Sequence, residues 1–303
     1  MAARADRLPV TRPRPLDPLG LGLATLTCVV WGSNGVGARI GAASVPPWTL
    51  AALRAWLGFA ILALILLWRR PRLPRSRTAW ERAALIGLLQ TTAPVGLLFW
   101  AVQRVDAGLA MVMMSTQPLF VAALLQRWSG GERLSRARLA TLGAGFAGVA
   151  LVAYAKTSGE LRFEWPGLVA LLLGSLSWAG GTLLLRRPGP EWRDVTSLVT
   201  VQLGFGAVVL TVLASFEHPR LEAFTLPAIA SVVYLAVFTT AFTFLLWAWL
   251  VQRHGASRIS PFVFLMPVAG VALGALLLGE RIPPLLYPGL ALVASSLVLV
   301  NRV

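Results

Sequence analysis

One phrase occurs twice in this chain. Val102-Gln103-Arg104 runs through an apolar stretch containing Pro118 to Gly131-Glu132-Arg133. Val251-Gln252-Arg253 runs through a second such stretch, containing Pro267, to Gly279-Glu280-Arg281. The two prolines stand 149 residues apart in a chain of 303, and the register slips by one at Gly130. A chain written twice folds as two related halves. Both copies are also too apolar for water: 57% of residues are hydrophobic and 13% charged, where a soluble domain carries about 25% charged residues.

Apolar runs of about 20 residues recur along the whole length, each long enough to cross a hydrocarbon core as a helix. The short alternating segments of a β-barrel are missing. These features predict an all-α integral membrane protein with ten transmembrane helices, near 19–40, 47–68, 83–103, 107–128, 136–154, 165–186, 195–215, 226–250, 256–278 and 284–301. With the N-terminus in the cytoplasm, 20 of the 27 cations fall on the cytoplasmic side and 6 outside, leaving Arg54 within a span. Inner loops carry such an excess. Five spans per half force the second copy to enter from the opposite side, so the expected halves, 19–154 and 165–301, are inverted repeats. Inverted repeats with a site between them are a recurring transporter design. Residues 1–18 read as a disordered basic cytoplasmic tail with no cleavable signal peptide. The location read from this is a bacterial-type cell inner membrane, with both termini in the cytoplasm.

Several function classes are excluded. The net charge of +15 does not indicate nucleic acid, because spans interrupt the arginines and topology explains their sorting. Cys28 is the single cysteine, so no intramolecular disulfide forms. The sequence has no phosphate-binding loop, metal cluster or intramembrane nucleophile beside a base, so neither cofactor nor enzymatic chemistry is expected. All twelve acidic residues fall in tails, loops or span ends, and both histidines, His218 and His254, fall in loops. Ion-coupled carriers keep such a group in the membrane, so gradient-driven flux is expected.

Trp31-Gly32-Ser33-Asn34 in span 1, Ala51-Ala52-Leu53-Arg54 in span 2, and the two stretches from proline to Gly-Glu-Arg closely resemble the EamA family of the drug/metabolite transporter superfamily. The resemblance covers both halves. It implies a ten-helix inner-membrane protein with a central cavity between the halves, and it does not specify cargo, since the family includes exporters of amino acids, aromatic compounds and other metabolites.

Arg54 is the first candidate for substrate binding. A cation within a span costs roughly 2.5–3.5 kcal/mol at the helix centre, so it faces protein or a wet cavity. Its guanidinium fork suits a carboxylate, and the alternatives are snorkelling or bonding backbone carbonyls. Gly32-Ser33-Asn34 weakens span 1, either to expose Asn34 to a polar substrate or to let helices pack closely. Trp31 and Trp178, at matched positions, are expected as cavity walls. Gln90-Thr91-Thr92 and Thr239-Thr240 form matched polar clusters, read as cavity walls or as partners of their own backbones. Gln117, Ser115, Tyr234 and Ser260 form a second tier, and Trp100 and Trp247 read as interfacial anchors. Pro118 and Pro267 are expected to kink spans 4 and 9 as hinges. Glu132 and Glu280 are expected to serve the N-termini of spans 5 and 10. Gln202 matches Arg54 in the second half, so the site should be asymmetric.

The function read from these residues is export or exchange of small polar metabolites, amino acids leading, by alternating access at a midplane cavity. Efflux of aromatic or apolar toxic compounds is the alternative, and a membrane scaffold or membrane enzyme the distant one. The partners are a small-molecule substrate and the lipid bilayer, with monomer and homodimer both open.

Overall fold

The computed structural model describes residues 15–101, 104–105, 107–128, 135–156, 164–186, 188–189, 191–218, 224–278, 284 and 286–302. Glu132 and Glu280 lie outside the described residues. Every regular element among the described residues is a helix: α1 (Pro18–Gly32), α2 (Asn34–Ala42), α3 (Pro47–Arg69), α4 (Arg77–Gly87), α5 (Ala93–Ala101), α6 (Ala107–Met114), α7 (Gln117–Trp128), α8 (Arg136–Lys156), α9 (Trp165–Arg186), α10 (Val195–Ala214), α11 (Leu226–Ala236), α12 (Thr243–His254), α13 (Ala256–Ile259), α14 (Leu265–Leu278) and α15 (Leu286–Arg302). Five runs are long and apolar enough to cross a membrane: Pro47–Arg69, Arg77–Ala101, Trp165–Arg186, Val195–Ala214 and Leu226–His254.

Local sequence sets the helix ends. Asp17, Ser76, Asp194 and Thr225 each place a side-chain oxygen on a backbone N–H of the first turn of α1, α4, α10 and α11, satisfying donors that have no helical partner. Helix α3 lacks this device, because its preceding residue is Pro46. Its cap comes instead from the far side of the fold. Glu217, just beyond α10, accepts from the Trp48 and Thr49 N–H groups at 3.0 and 2.7 Å and from the Thr49 hydroxyl at 2.8 Å. At the other end Arg69 lies 3.8 Å from Asp194 and donates to the Thr196 hydroxyl at 3.3 Å. Helices α3 and α10, one from each half, are therefore antiparallel and tied at both ends.

Several runs are interrupted, and the interruptions repeat. Helix α4 passes into α5 through a π-helical turn at Leu88–Thr92, and α11 passes into α12 through another at Val237–Phe242, 149 residues on. Such bulges widen the helix locally and cluster at functional sites. The run containing α6 and α7 breaks at Ser115 and Thr116, and the run from α13 to α14 narrows to a 3₁₀ turn at Ser260–Phe264. The prolines expected as hinges stand at these interruptions: Pro118 is the second residue of α7, just after the break at Ser115 and Thr116, and Pro267 is the third of α14, just after the 3₁₀ turn. A first-turn residue needs no helical N–H partner, so proline is tolerated there. The two breaks meet at a recess of about 10 Å³ lined by Pro118, Leu142, Ser260 and Pro261, on the scale of a single water.

Span 1 divides at Ser33, between α1 and α2. Gly32 is needed there for packing: a Cβ on it would lie 2.6 Å from the Met266 carbonyl oxygen and 2.9 Å from the Gly270 nitrogen of α14. Close packing and a broken helix thus coexist in the Gly32-Ser33-Asn34 segment, and Gly270 is used within the chain.

Candidate functional site

Helix α3 carries Arg54 seven residues from its start, roughly 10 Å along the axis. Its side chain is buried, at 5% exposure. Nε donates to the Thr240 hydroxyl at 3.2 Å and Nη1 to Asn34 Oδ1 at 3.3 Å. The structure therefore joins three sequence candidates from three separate helical runs. Arg54 neither snorkels nor bonds backbone. Both partners are neutral, and among the described residues no carboxylate pairs with it. A buried guanidinium held by neutral oxygens keeps its charge available to an anion. Ser33, adjacent to Asn34, hydrogen-bonds to the Tyr234 hydroxyl and donates to the Val30 carbonyl at 2.6 Å, which fixes the break in span 1 beside the site.

Next to this cluster stands an aromatic wall. Trp31 lies 5.3 Å from Trp178, 5.1 Å from Trp247 and 6.1 Å from Phe244, centroid to centroid. Trp178 and Trp247 close the triangle at 5.9 Å. Trp31 and Trp178, matched in the two halves, pack edge to face in the buried interior. Trp247 corrects the expectation of an interfacial anchor: it is 1% exposed and packs inside. It lies on α12, which continues directly from the second π turn. The Trp31 indole N–H donates to the Thr239 carbonyl of that turn at 3.2 Å. Adjacent residues of one π turn thus hold the wall, through Thr239, and Arg54, through Thr240. The Thr239 hydroxyl itself donates to the Leu235 carbonyl at 2.8 Å, the backbone role weighed for this cluster.

A second polar group is tied to Trp178. Gln90 Nε2 and Gln117 Nε2 donate to the Thr182 hydroxyl at 3.0 and 3.2 Å, and Thr182 donates to the Trp178 carbonyl at 2.9 Å. Gln90 and Gln117, both sequence candidates, are therefore brought together by a residue that sequence reasoning did not select. Thr182 follows Trp178 by four residues, as Asn34 follows Trp31 by three, and that spacing was its available signal. Glu217 was also missed, because nothing in a loop glutamate announces the helix it caps.

One face carries a further correction. His254 is the last residue of α12 rather than a loop residue, and it is fully buried. Its Nδ1 lies 3.0 Å from the Pro15 carbonyl oxygen, and its Nε2 lies 3.9 Å from Asp17 Oδ1. Asp17 also accepts from Arg253 at 3.2 Å and from the Gly20 amide at 2.7 Å. These bonds, with the Gly20 amide foremost, hold the Asp17 carboxyl below its ordinary value. Helices α1 and α12 are tied there by Coulomb attraction.

Comparison with known proteins places this geometry in a lineage. The EamA-like transporter family model matches residues 18–154 and again 165–302. The chain belongs to the EamA-like transporter family and is a multi-pass membrane protein. It is 28% identical over 281 residues to the uncharacterized transporter YvbV of Bacillus subtilis, covering 92% of this chain and 90% of the relative. It is 29% identical over 285 residues to a probable amino-acid metabolite efflux pump of Escherichia coli, covering 91% and 92%. A probable terminal-alkyne amino-acid exporter of Streptantibioticus cattleyicolor is 29% identical over 282 residues, covering 91% of each. A solved crystal structure superposes with a TM-score of 0.78 at 18% identity, over 93% of this chain and 96% of the other, which establishes the shared fold.

Proposed function

We propose that this transporter moves small metabolites bearing a carboxylate, amino acids first among them, by alternating access between two inverted five-helix repeats, 19–154 and 165–301. The carrying observation is Arg54: buried, charged, and bonded to the neutral Asn34 and Thr240. Two similar proteins named for amino-acid efflux or export support the substrate class. Ten spans with both termini on the cytoplasmic face of an inner membrane account for the sorting of arginines.

In this reading the carboxylate displaces Asn34 or Thr240 from the guanidinium, and loss of the Thr240 bond disturbs the π turn that also holds Trp31. The wall then opens as the halves exchange conformations. Flux follows the substrate gradient, with no carboxylate relay in the membrane. The aromatic wall favours a second reading, efflux of aromatic compounds, since Trp31, Trp178, Trp247 and Phe244 offer ring faces for stacking.

The test is flux of a labelled amino-acid panel in proteoliposomes of the purified protein, with and without a pH gradient. Saturable flux indifferent to the gradient is the expected result. Flux that requires the gradient refutes the uncoupled mechanism, and transport of aromatic solutes alone selects the second reading.

A further inference from the structure

The duplication that produced the halves left a counterpart of the Arg54 site, and its polar atoms are unmatched. Gln202 stands 148 residues after Arg54. Each is seven residues from the start of its helix, and the helices are antiparallel. Arg54 therefore lies roughly 10 Å from one face and Gln202 roughly 10 Å from the other. Thr240 in the second π turn answers to Thr91 in the first, 149 residues earlier. Asn34, three residues after Trp31, has Gly181 at the matching place, with Thr182 one residue on.

The counterpart differs from the original in what its atoms bind. Gln202 is 1% exposed, and neither its amide oxygen nor its amide nitrogen has a hydrogen-bond partner. Thr91, at 2% exposure, has an unpartnered hydroxyl. Gln117 is fully buried and follows the same pattern for a reason that can be worked out. A hydroxyl has one proton, and Thr182 gives its own to the Trp178 carbonyl, so both glutamines must turn their NH₂ groups toward it. The Gln117 oxygen therefore points elsewhere, and it too has no partner. Thr91 lies in the first π turn, Gln117 shares Thr182 with Gln90 of that turn, and the α10 backbone at Gln202 passes beside it. A Cβ on Gly87, just before the turn, would lie 2.3 Å from the Gln202 carbonyl oxygen, and one on Gly206 of α10 would lie 2.8 Å from Thr91. Buried polar groups are almost always satisfied, and each exception carries a desolvation cost. Donors and acceptors gathered at one turn, all neutral, suit a ligand that both accepts and donates.

We infer that Gln202, Thr91 and Gln117 form a second, uncharged substrate station, repeat-related to the Arg54 site and beside the first π turn, for the same carboxylate-bearing metabolite. This rests on reading Arg54 as the carboxylate anchor. The Gln202 amide and Thr91 hydroxyl donate to the carboxylate, and the Gln117 oxygen accepts from the ammonium. The guanidinium adds a full charge and a two-pronged fork that the neutral amides lack, so the Arg54 site holds the carboxylate more tightly than the amide station does. Transport is then a transfer between stations, with Trp31 and Trp178 joining them: one is bonded to the π turn that holds Arg54, and the other lends its carbonyl to Thr182.

Cys28 is the single cysteine, so a Cys28→Ser background reports on one introduced thiol. Gln202→Cys and, as control, Leu203→Cys at a neighbouring fully buried position are reconstituted and exposed to the anionic reagent sulfonatoethyl methanethiosulfonate. The expected result is modification of Gln202→Cys at least tenfold faster than Leu203→Cys, slowed by a mixture of the nineteen standard amino acids other than cysteine. Equal inertness of the two, or labelling that the amino acids leave unchanged, overturns the station. Thr91→Cys is the second reporter should Gln202→Cys fail to fold. The Arg54 reading is judged separately, by flux of Arg54→Gln protein, so failure of one is not mistaken for failure of the other.

Discussion

Removing the Glu217 carboxylate should loosen the start of α3 more than any ordinary surface substitution. Pro46 offers α3 no side-chain acceptor, so the bonds from Trp48 N, Thr49 N and the Thr49 hydroxyl, at 2.7–3.0 Å, are its cap. Losing an N-cap costs about 0.5–2 kcal/mol, and losing the charge at a helix N-terminus costs a further ~0.3–1 kcal/mol. Glu217→Ala therefore loses about 2 kcal/mol. Glu217→Gln keeps one acceptor oxygen and loses about 1 kcal/mol. The assay is thermal unfolding of the detergent-solubilised protein, with Glu81→Ala as reference, because Glu81 makes only an exposed i,i+4 pair with Arg77, for which about 0.3–0.5 kcal/mol is typical. A Thr49→Val partner completes a double-mutant cycle, and the coupling should be non-zero. If Glu217→Ala melts no lower than Glu81→Ala, the capping argument is wrong.

Gly87→Ala should lower the unfolding temperature and Gly22→Ala should not: a Cβ at Gly87 meets the Gln202 carbonyl oxygen at 2.3 Å, while one at Gly22 meets nothing within 4 Å. Overpacking against backbone costs about 1–3 kcal/mol, whereas alanine for glycine in an open helix position gains up to ~1 kcal/mol; paired melts read the difference. Asp17 gives a pH prediction. Its carboxyl is depressed by the Gly20 amide and by Arg253, so its contribution is full above the unfolded carboxylate range, about pH 4, and is lost as pH falls through the lower folded value. Melts from pH 7 to pH 3 should show an acid-side loss that Asp17→Asn reduces. Trp31→Phe keeps the ring contact but deletes the 3.2 Å bond to the Thr239 carbonyl; a raised turnover in the flux assay, with little loss of stability, is the expected sign of a loosened wall.

What was legible in the sequence followed from periodicity and chemistry that act locally. Apolar runs, the duplicated phrase and the lone intramembrane arginine led to the all-helical fold, the family, and the joining of Arg54, Asn34 and Thr240. What was hidden depends on three-dimensional neighbours. Pro118 and Pro267 marked the interruptions of spans 4 and 9, but a sequence does not say that one is a break and the other a 3₁₀ turn. Trp247 read as an anchor because position along a span does not reveal which face meets Trp31. Glu217 and Thr182 act on segments more than 60 residues away, and local pattern does not name those partners. The π turns left only a trace, the paired polar clusters at matched positions.

The central claim is that Arg54 receives the substrate carboxylate, and the direct measurement is concentration-dependent flux of labelled amino acids by wild-type, Arg54→Lys and Arg54→Gln protein in proteoliposomes. Loss of one charge-assisted pair, about 1.5–3 kcal/mol, predicts that Arg54→Gln raises the half-saturation concentration at least tenfold. Arg54→Lys should fall between, since it keeps the charge and loses the fork. An Arg54→Gln protein that folds and transports the panel with wild-type half-saturation would contradict the account.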